Sequence, residues 1–405
     1  MTLATIWHGL LPILTWLLAL GWLWQLAQWI RHFPSLPDLN RMAADRPPDL
    51  HAEPDGRPQV TVVVPACNEE VAIAATLRSL LASRGVRLQI IAVDDRSTDG
   101  TGRIMDEVAG SAVQADDAHS LEVLHIRDLP SAWLGKPHAL ATAAEFATAD
   151  WILFTDGDVI FAPEALALAL RYAIAEKADH LVLIPDWIMG SAGEAAMHGA
   201  MHAFTTWTMR LWRVSDPETR DSLGVGAFNL VRRSAYEAIG GFQSLRMEVL
   251  EDLRLGWLLK RAGYRPRIAL GQGLAAVHWS DGAWGVVRNL EKNLFALHRY
   301  SIGLTLLGCL GLLIQIVLPI FALAAGGWSR AAALVLYAAV AGIYLASRNV
   351  TRVPPGYFFF YPLASCIFLF AMLRSMALAL VRGGVMWRGT FYSLKELRAH
   401  AGRLW

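Results

Sequence analysis

Residues 5–30, TIWHGLLPILTWLLALGWLWQLAQWI, contain no Lys, Arg, Asp or Glu. They exceed the ~20 residues that a helix needs to cross the hydrocarbon core of a bilayer. A signal peptide would show a short apolar core behind a basic start and a small-residue cleavage site, and none of these is present. Arg31, His32, Arg41 and Arg46 follow, and positive charge on that flank places the next domain in the cytoplasm. The bulk numbers agree: 55% of residues are hydrophobic, only 18% are charged, and there are sixteen Trp, a residue that favours membrane–water interfaces. The reading is an integral membrane protein of a plasma or inner membrane, anchored by residues 1–32.

Three further apolar segments lie near the other end, at 302–325, 328–347 and 356–381, within a membrane region of 301–382. The last contains Pro362 and Arg374. Four simple crossings would leave the tail, 383–405, outside. Yet the chain's end is basic, with Arg382, Arg388, Lys395, Arg398 and Arg403, and such charge prefers the inside. Whether 356–381 crosses or re-enters stays open at this level.

The middle, 58–300, alternates strand-like and helix-like stretches. QVTVVVPA (59–66) reads as a buried strand, followed by a helix over Val71–Ser83. LQIIAVDD (88–95) is the next strand, with a helix near 101–109. DWILFTDGD (150–158) and HLVLIPD (180–186) continue the pattern around a helix at 163–176. Such alternation gives an α/β domain with a mostly parallel sheet covered on both faces. Residues 33–57, with Pro34, Pro37, Pro47, Pro48 and Pro54, read as a linker without a helix. The net charge of +1 and the absence of a basic, aromatic-interleaved block argue against nucleic acid. Cys67, Cys309 and Cys366 are far apart and show no metal-type spacing, so they read as reduced thiols.

Ligands of open parallel sheets bind at the carboxyl ends of the strands, and acids recur at that edge. Asn68 and Glu69 follow the first strand, Asp94 and Asp95 end the second, and Asp156-Gly-Asp158 follow a later one. One such cluster is a turn; three suggest a site. Two carboxylates separated by glycine can approach a hard divalent cation that keeps positions open for phosphate oxygens. Neither GxxxxGK[ST] nor a GxGxxG after the first strand occurs, which disfavours a P-loop NTPase and a dehydrogenase. Asp252 opens LEDLRLGWLLKRAG, a helix stopped by Gly263, where the dipole favours an ionised carboxylate.

VVVPACNEE, IIAVDDRSTDGT, WLGKPHAL, WILFTDGD, GVGAFNLVRRSAYEAIGGF and EVLEDLRLGWLLKRAGY occur in that order. Together they resemble the membrane-anchored family 2 glycosyltransferases of GT-A fold, and more nearly the ceramide glucosyltransferase and hopanoid- or carotenoid-associated branch. The resemblance implies a hexosyltransferase-type enzyme that moves a sugar from a nucleotide donor, expected to be a UDP-sugar, to a lipid hydroxyl. It also implies roles. Asp95, with Asp94, would contact the nucleoside beside the Pro65–Asn68–Glu69 loop, and Lys136 would face the diphosphate. Asp158, supported by Asp156, would hold Mg²⁺ or Mn²⁺. His278 is either a further metal ligand or a packed histidine beside Trp279. Asp252, with Glu251 next to it, would be the general base of an inverting transfer.

One departure matters. Processive synthases and many ceramide-type relatives carry a [QR]xxRW element after the base, whereas here the place reads RNLEKNLFALHRY, where Arg288 and Lys292 are candidate diphosphate contacts. This argues against a long-chain polysaccharide synthase. A polyprenyl-phosphate glycosyltransferase, a short-chain polysaccharide synthase and a non-catalytic membrane scaffold remain the alternatives. Residues 194–213, rich in Met and aromatics, suit an interfacial helix or an ordinary packing helix. MWRGTFY, with Trp387 and Arg388, resembles a tail element of related enzymes and takes no role from the sequence.

Overall fold

The computed structural model describes residues 3–42, 57–112 and 119–401. Pro47, Pro48 and Pro54 of the expected linker, and Arg403 of the tail, lie outside the described residues. The start of that linker is not helix-free. Asp38 Oδ1 accepts the backbone N–H groups of Asn40 (3.2 Å) and Arg41 (3.3 Å) and caps a single helical turn, Leu39–Met42.

The chain divides into two compact units. One is built from Met1–Ser35, Met189–Arg210 and Trp279–Gly383, the other from Leu36–Ile188, Leu211–His278 and Gly384–Trp405. Residues 189–210 and 279–300 thus belong to the first unit and the basic tail to the second.

The second unit is the α/β domain. Its strands, in chain order, are β1 (Val60–Ala66), β2 (Leu88–Asp95), β3 (His119–Ile126), β4 (Trp151–Phe154), β5 (Val159–Phe161) and β6 (His180–Ile184). After these come β7 (Asp186–Trp187), β8 (Asn229–Arg232), β9 (Pro266–Leu270), β10 (Ala275–Val277), β11 (Gly384–Trp387) and β12 (Thr390–Ser393). The main sheet runs β3-β2-β1-β4-β8-β6-β9. It is parallel except for β8, which runs antiparallel to β4 and β6. A small sheet, β5-β10-β7, and the hairpin β11-β12 complete the domain.

Alternation along the strands sends side chains to two separate cores. Val62, Val64, Ile90 and Leu153 pack with the helices Ile73–Leu81 and Ala165–Ala175 on one face. Val63, Ile91, Ile152 and Phe154 pack with Gly135–Ala144 and Glu251–Arg261 on the other. The expected strands and helices over 59–186 stand within a few residues of their predicted places.

The first unit is helical. Gly9–Ser35, Ile302–Ala325, Gly327–Thr351 and Pro355–Arg382 are long and apolar enough to cross a membrane. Leu17, Leu20, Leu307, Leu310 and Leu363 are exposed on them, as lipid-facing side chains would be. Small residues let the helices close up: a side chain at Gly342 would collide with Leu26, and one at Gly199 with Tyr344. The 194–213 stretch forms the helix Ala192–Thr208, whose start is capped by Ser191. Buried Glu194 uses both carboxylate oxygens, accepting from the backbone of Gly190 (2.6 Å) and Gly282 (2.5 Å).

Candidate active site

The strand ends β1, β2 and β4 carry the acids, and loops tie them together. Asn68, at φ 57°, accepts the Thr98 N–H on its Oδ1 (2.8 Å), and the Glu69 N–H donates to Thr101 Oγ1 (2.8 Å). The CNEE and DDRSTDGT segments are thereby one rigid rim. Pro65 lies within β1, opposite Val93.

The two adjacent aspartates have different environments. Asp94 makes the turn: its Oδ1 accepts the Ser97 N–H (3.2 Å), and its Oδ2 meets His125 Nδ1 (3.1 Å). That contact raises the His125 imidazole above its ordinary value. Asp95 is only 4% exposed and is bound bidentately by Arg96, at 2.7 and 3.1 Å. Gly135 abuts this pair, where any Cβ would strike Asp95 and Arg96.

Next to Gly135 stands Lys136, whose Nζ lies 2.6 Å from both Asp156 Oδ1 and Glu251 Oε1. Burial disfavours its ammonium, but Asp156, Glu251 and Asp252 outweigh that and hold it protonated. Gly226 makes the approach possible, because a Cβ there would come 2.5 Å from Asp156 Oδ2. Gly224 likewise leaves room for the backbone of Asp252.

Glu251 and Asp252 open the same helix yet differ. Glu251 is buried and serves as the counter-ion of Lys136. Asp252 is pushed up to about 6 by burial and by its neighbour Glu251, while its Oδ1 accepts the Leu253 N–H (2.7 Å). Asp158 is raised well above the carboxylate range, first by burial and then by Asp156 and Glu69. Among the described residues, no group of three acid or histidine ligand atoms close enough to share one ion includes Asp156, Asp158 or Glu69, and Asp156 and Glu69 are already paired with Lys136 and Arg388. His278 directly follows β10, whose Val277 pairs with Val159. Arg288 and Lys292 stand on the helix Gly282–Leu297 of the other unit.

The tail hairpin supplies residues that sequence reasoning did not place. Its tip residue Arg388 contacts the Cys67 carbonyl and Glu69 Oε1, Thr390 accepts from Arg96 (3.1 Å), and the Tyr392 hydroxyl accepts the Gly135 N–H (3.1 Å). The signal for the hairpin was the Arg-Gly pair flanked by β-branched and aromatic residues in VMWRGTFY.

Acids and three held cations, Lys136, Arg96 and Arg388, thus gather at the carboxyl ends of a largely parallel sheet. Residues 61–240 match the family model described as Glycosyl transferase family 2. The chain carries a family 2 glycosyltransferase domain. The 4,4'-diaponeurosporenoate glycosyltransferase of Staphylococcus haemolyticus is 25% identical to it over 232 residues, 56% of this chain and 58% of the relative. The probable glycosyltransferase YdaM of Bacillus subtilis is 35% identical over 130 residues, 31% of this chain and 29% of the relative. The chain therefore covers less than two thirds of either relative's length. Among solved structures, the mannosyltransferase PcManGT from Pyrobaculum calidifontis, in complex with GDP-Man and Mn²⁺, aligns at a TM-score of 0.51. That alignment has 18% identity and covers 92% of this chain and 99% of that one. The likeness is one of fold, and it gives the glycosyltransferase domain its GT-A-like core.

Proposed function

We propose that the chain is a membrane glycosyltransferase that moves a sugar from a nucleoside diphosphate donor, UDP being the expected nucleotide, to a lipid hydroxyl. The observation that carries this reading is the cluster in which Lys136 binds Asp156 and Glu251 beside the half-buried Asp252. Asp252 takes the acceptor hydroxyl's proton as that oxygen attacks the anomeric carbon. The bond to the diphosphate breaks, and the sugar is inverted. Lys136 neutralises part of the charge that develops on the leaving diphosphate. Asp95 and the Asn68 rim would border the nucleoside. Asp156 and Asp158 would hold Mg²⁺ or Mn²⁺, with His278 the further candidate ligand, and the ion would supply further charge to the leaving group. Within the ceramide glucosyltransferase and hopanoid- or carotenoid-associated branch, the name of the Staphylococcus haemolyticus relative supports the carotenoid-associated part.

The tail bears on topology. Its hairpin and the glycosyltransferase domain belong to one unit, so both lie on one side of the membrane, and the basic flanks favour the cytoplasmic side. Between them come three apolar segments. On this reading two of the three would cross, and the third would re-enter or lie in the interface.

The experiment is release of nucleoside diphosphate by detergent-purified protein, given native lipid extract and a panel of UDP- and GDP-sugars, with Mn²⁺ or EDTA. Metal-dependent release with one donor, lost in Asp252→Asn, supports the reading. An Asp252→Asn variant of near wild-type rate would shift the acceptor to a lipid phosphate, which needs less of a base. No release with any donor would leave the scaffold alternative standing.

A further inference from the structure

We propose that Arg388, at the tip of the tail hairpin, is a ligand of the donor's diphosphate, delivered to the site from outside the segment 61–240 that matches the family model. This rests on the nucleotide-sugar reading above.

Three observations carry it. The first is position. The hairpin touches the three loops that frame the crevice: Arg388 meets Cys67 and Glu69 after β1, Thr390 meets Arg96 after β2, and Tyr392 meets Gly135, the neighbour of Lys136. Asp156 lies close enough to act on the Arg388 charge.

The second is charge. Lys136 is held by two carboxylates and Arg96 by both oxygens of Asp95. Arg388 is paired with a single carboxylate, Glu69, and its side chain is 42% exposed. A guanidinium presents five N–H donors in a planar fork suited to phosphate. Exchanging Glu69 for a phosphate oxygen keeps an anionic acceptor on that fork.

The third is backbone. Arg388 and Gly389 occupy the two central positions of the β11–β12 turn, at φ 47° and 78°. Two positive φ values make a type I′ turn, where Asn or Gly is the unstrained choice at the first position. A long cationic side chain placed there against the backbone preference is strain of the kind that accumulates at functional sites.

The test uses the full-length protein in detergent, with uridine, UMP and UDP and the guanosine series as probes, binding being read by competition against a fluorescent nucleoside diphosphate. Arg388→Gly removes the fork and suits the turn, so it should unfold no earlier than wild type. It should bind the diphosphate roughly ten- to hundredfold more weakly, the loss expected for a charge-assisted hydrogen bond. Affinity for the nucleoside alone should change less than twofold. Arg388→Lys, which keeps the charge without the fork, should fall between. Diphosphate affinity within twofold of wild type in Arg388→Gly would overturn the proposal. So would equal losses for nucleoside and diphosphate accompanied by early unfolding, since Arg388 would then be only a structural tie. If wild type binds no nucleoside diphosphate in either series, it is the donor reading beneath the proposal that fails.

Discussion

Lys136 Nζ lies 2.6 Å from Asp156 Oδ1, joining the start of one helix to the loop between β4 and β5. The same ammonium is the counter-ion of Glu251, which is 4% exposed. Replacing Lys136 by Met leaves that buried carboxylate unpaired, a loss of about 3 kcal/mol by analogy with broken buried pairs. Thermal unfolding in detergent should therefore begin several degrees earlier. A variant as stable as wild type would mean that the Lys136–Glu251 pair does not contribute to folding.

Asp252 must be ionised to accept a proton, and burial beside Glu251 pushes its carboxyl up to about 6. Turnover should fall about tenfold per unit as pH drops below that value and level off above it. Asp252→Asn should remove this acid limb and lower turnover at least a hundredfold, while nucleotide affinity changes little. A pH profile flat from 5 to 8 in wild type would count against the assignment.

Asp156 and Glu69 both act against the ionised form of Asp158, and on the proposed metal role removing Asp158 should weaken divalent-cation affinity. For Asp158→Asn, the Mn²⁺ concentration giving half-maximal sugar transfer should rise roughly tenfold or more. The check is a metal titration of product formation after EDTA treatment. An unchanged half-point would move the cation elsewhere.

Gly226 tolerates no Cβ at its 2.5 Å distance from Asp156 Oδ2. Gly226→Ala should displace Asp156 from Lys136 and slow turnover by roughly tenfold to a hundredfold, as small misplacements in active sites do. Unfolding temperature should change far less than in the Lys136 variant. Full activity in Gly226→Ala would show that the loop yields without consequence.

The side of the membrane can be read with exposed residues. Cysteines placed at Glu107 and Glu396, with native Cys366 replaced, should both react with an impermeant maleimide in inverted vesicles and not in intact cells. Labelling of the two positions from opposite sides would refute the even number of crossings.

Much of the architecture is local, and local patterns were readable. Val60–Ala66 and Leu88–Asp95 are strands because apolar runs end abruptly in turn residues, and Ile302–Ala325 is a helix with the bounds that its uncharged run predicts. The acids at the strand ends were legible for the same reason: where a strand stops, its last side chains sit at the edge where ligands bind. Adjacent residues share that local signal, so the sequence could not separate Asp94 from Asp95 or Glu251 from Asp252. Packing separates them, giving Asp94 to Ser97 and His125, Asp95 to Arg96, and Glu251 but not Asp252 to Lys136. Longer relationships left no trace in periodicity. Arg388 reaches Glu69 across 319 positions, and the tail joins the α/β unit despite the membrane region between them. Hydropathy and turn chemistry determined which segments are strands, helices and anchors, because those depend on neighbours in the chain. Which charge meets which depends on how the sheet brings distant loops to one edge, and only the tertiary structure decided that.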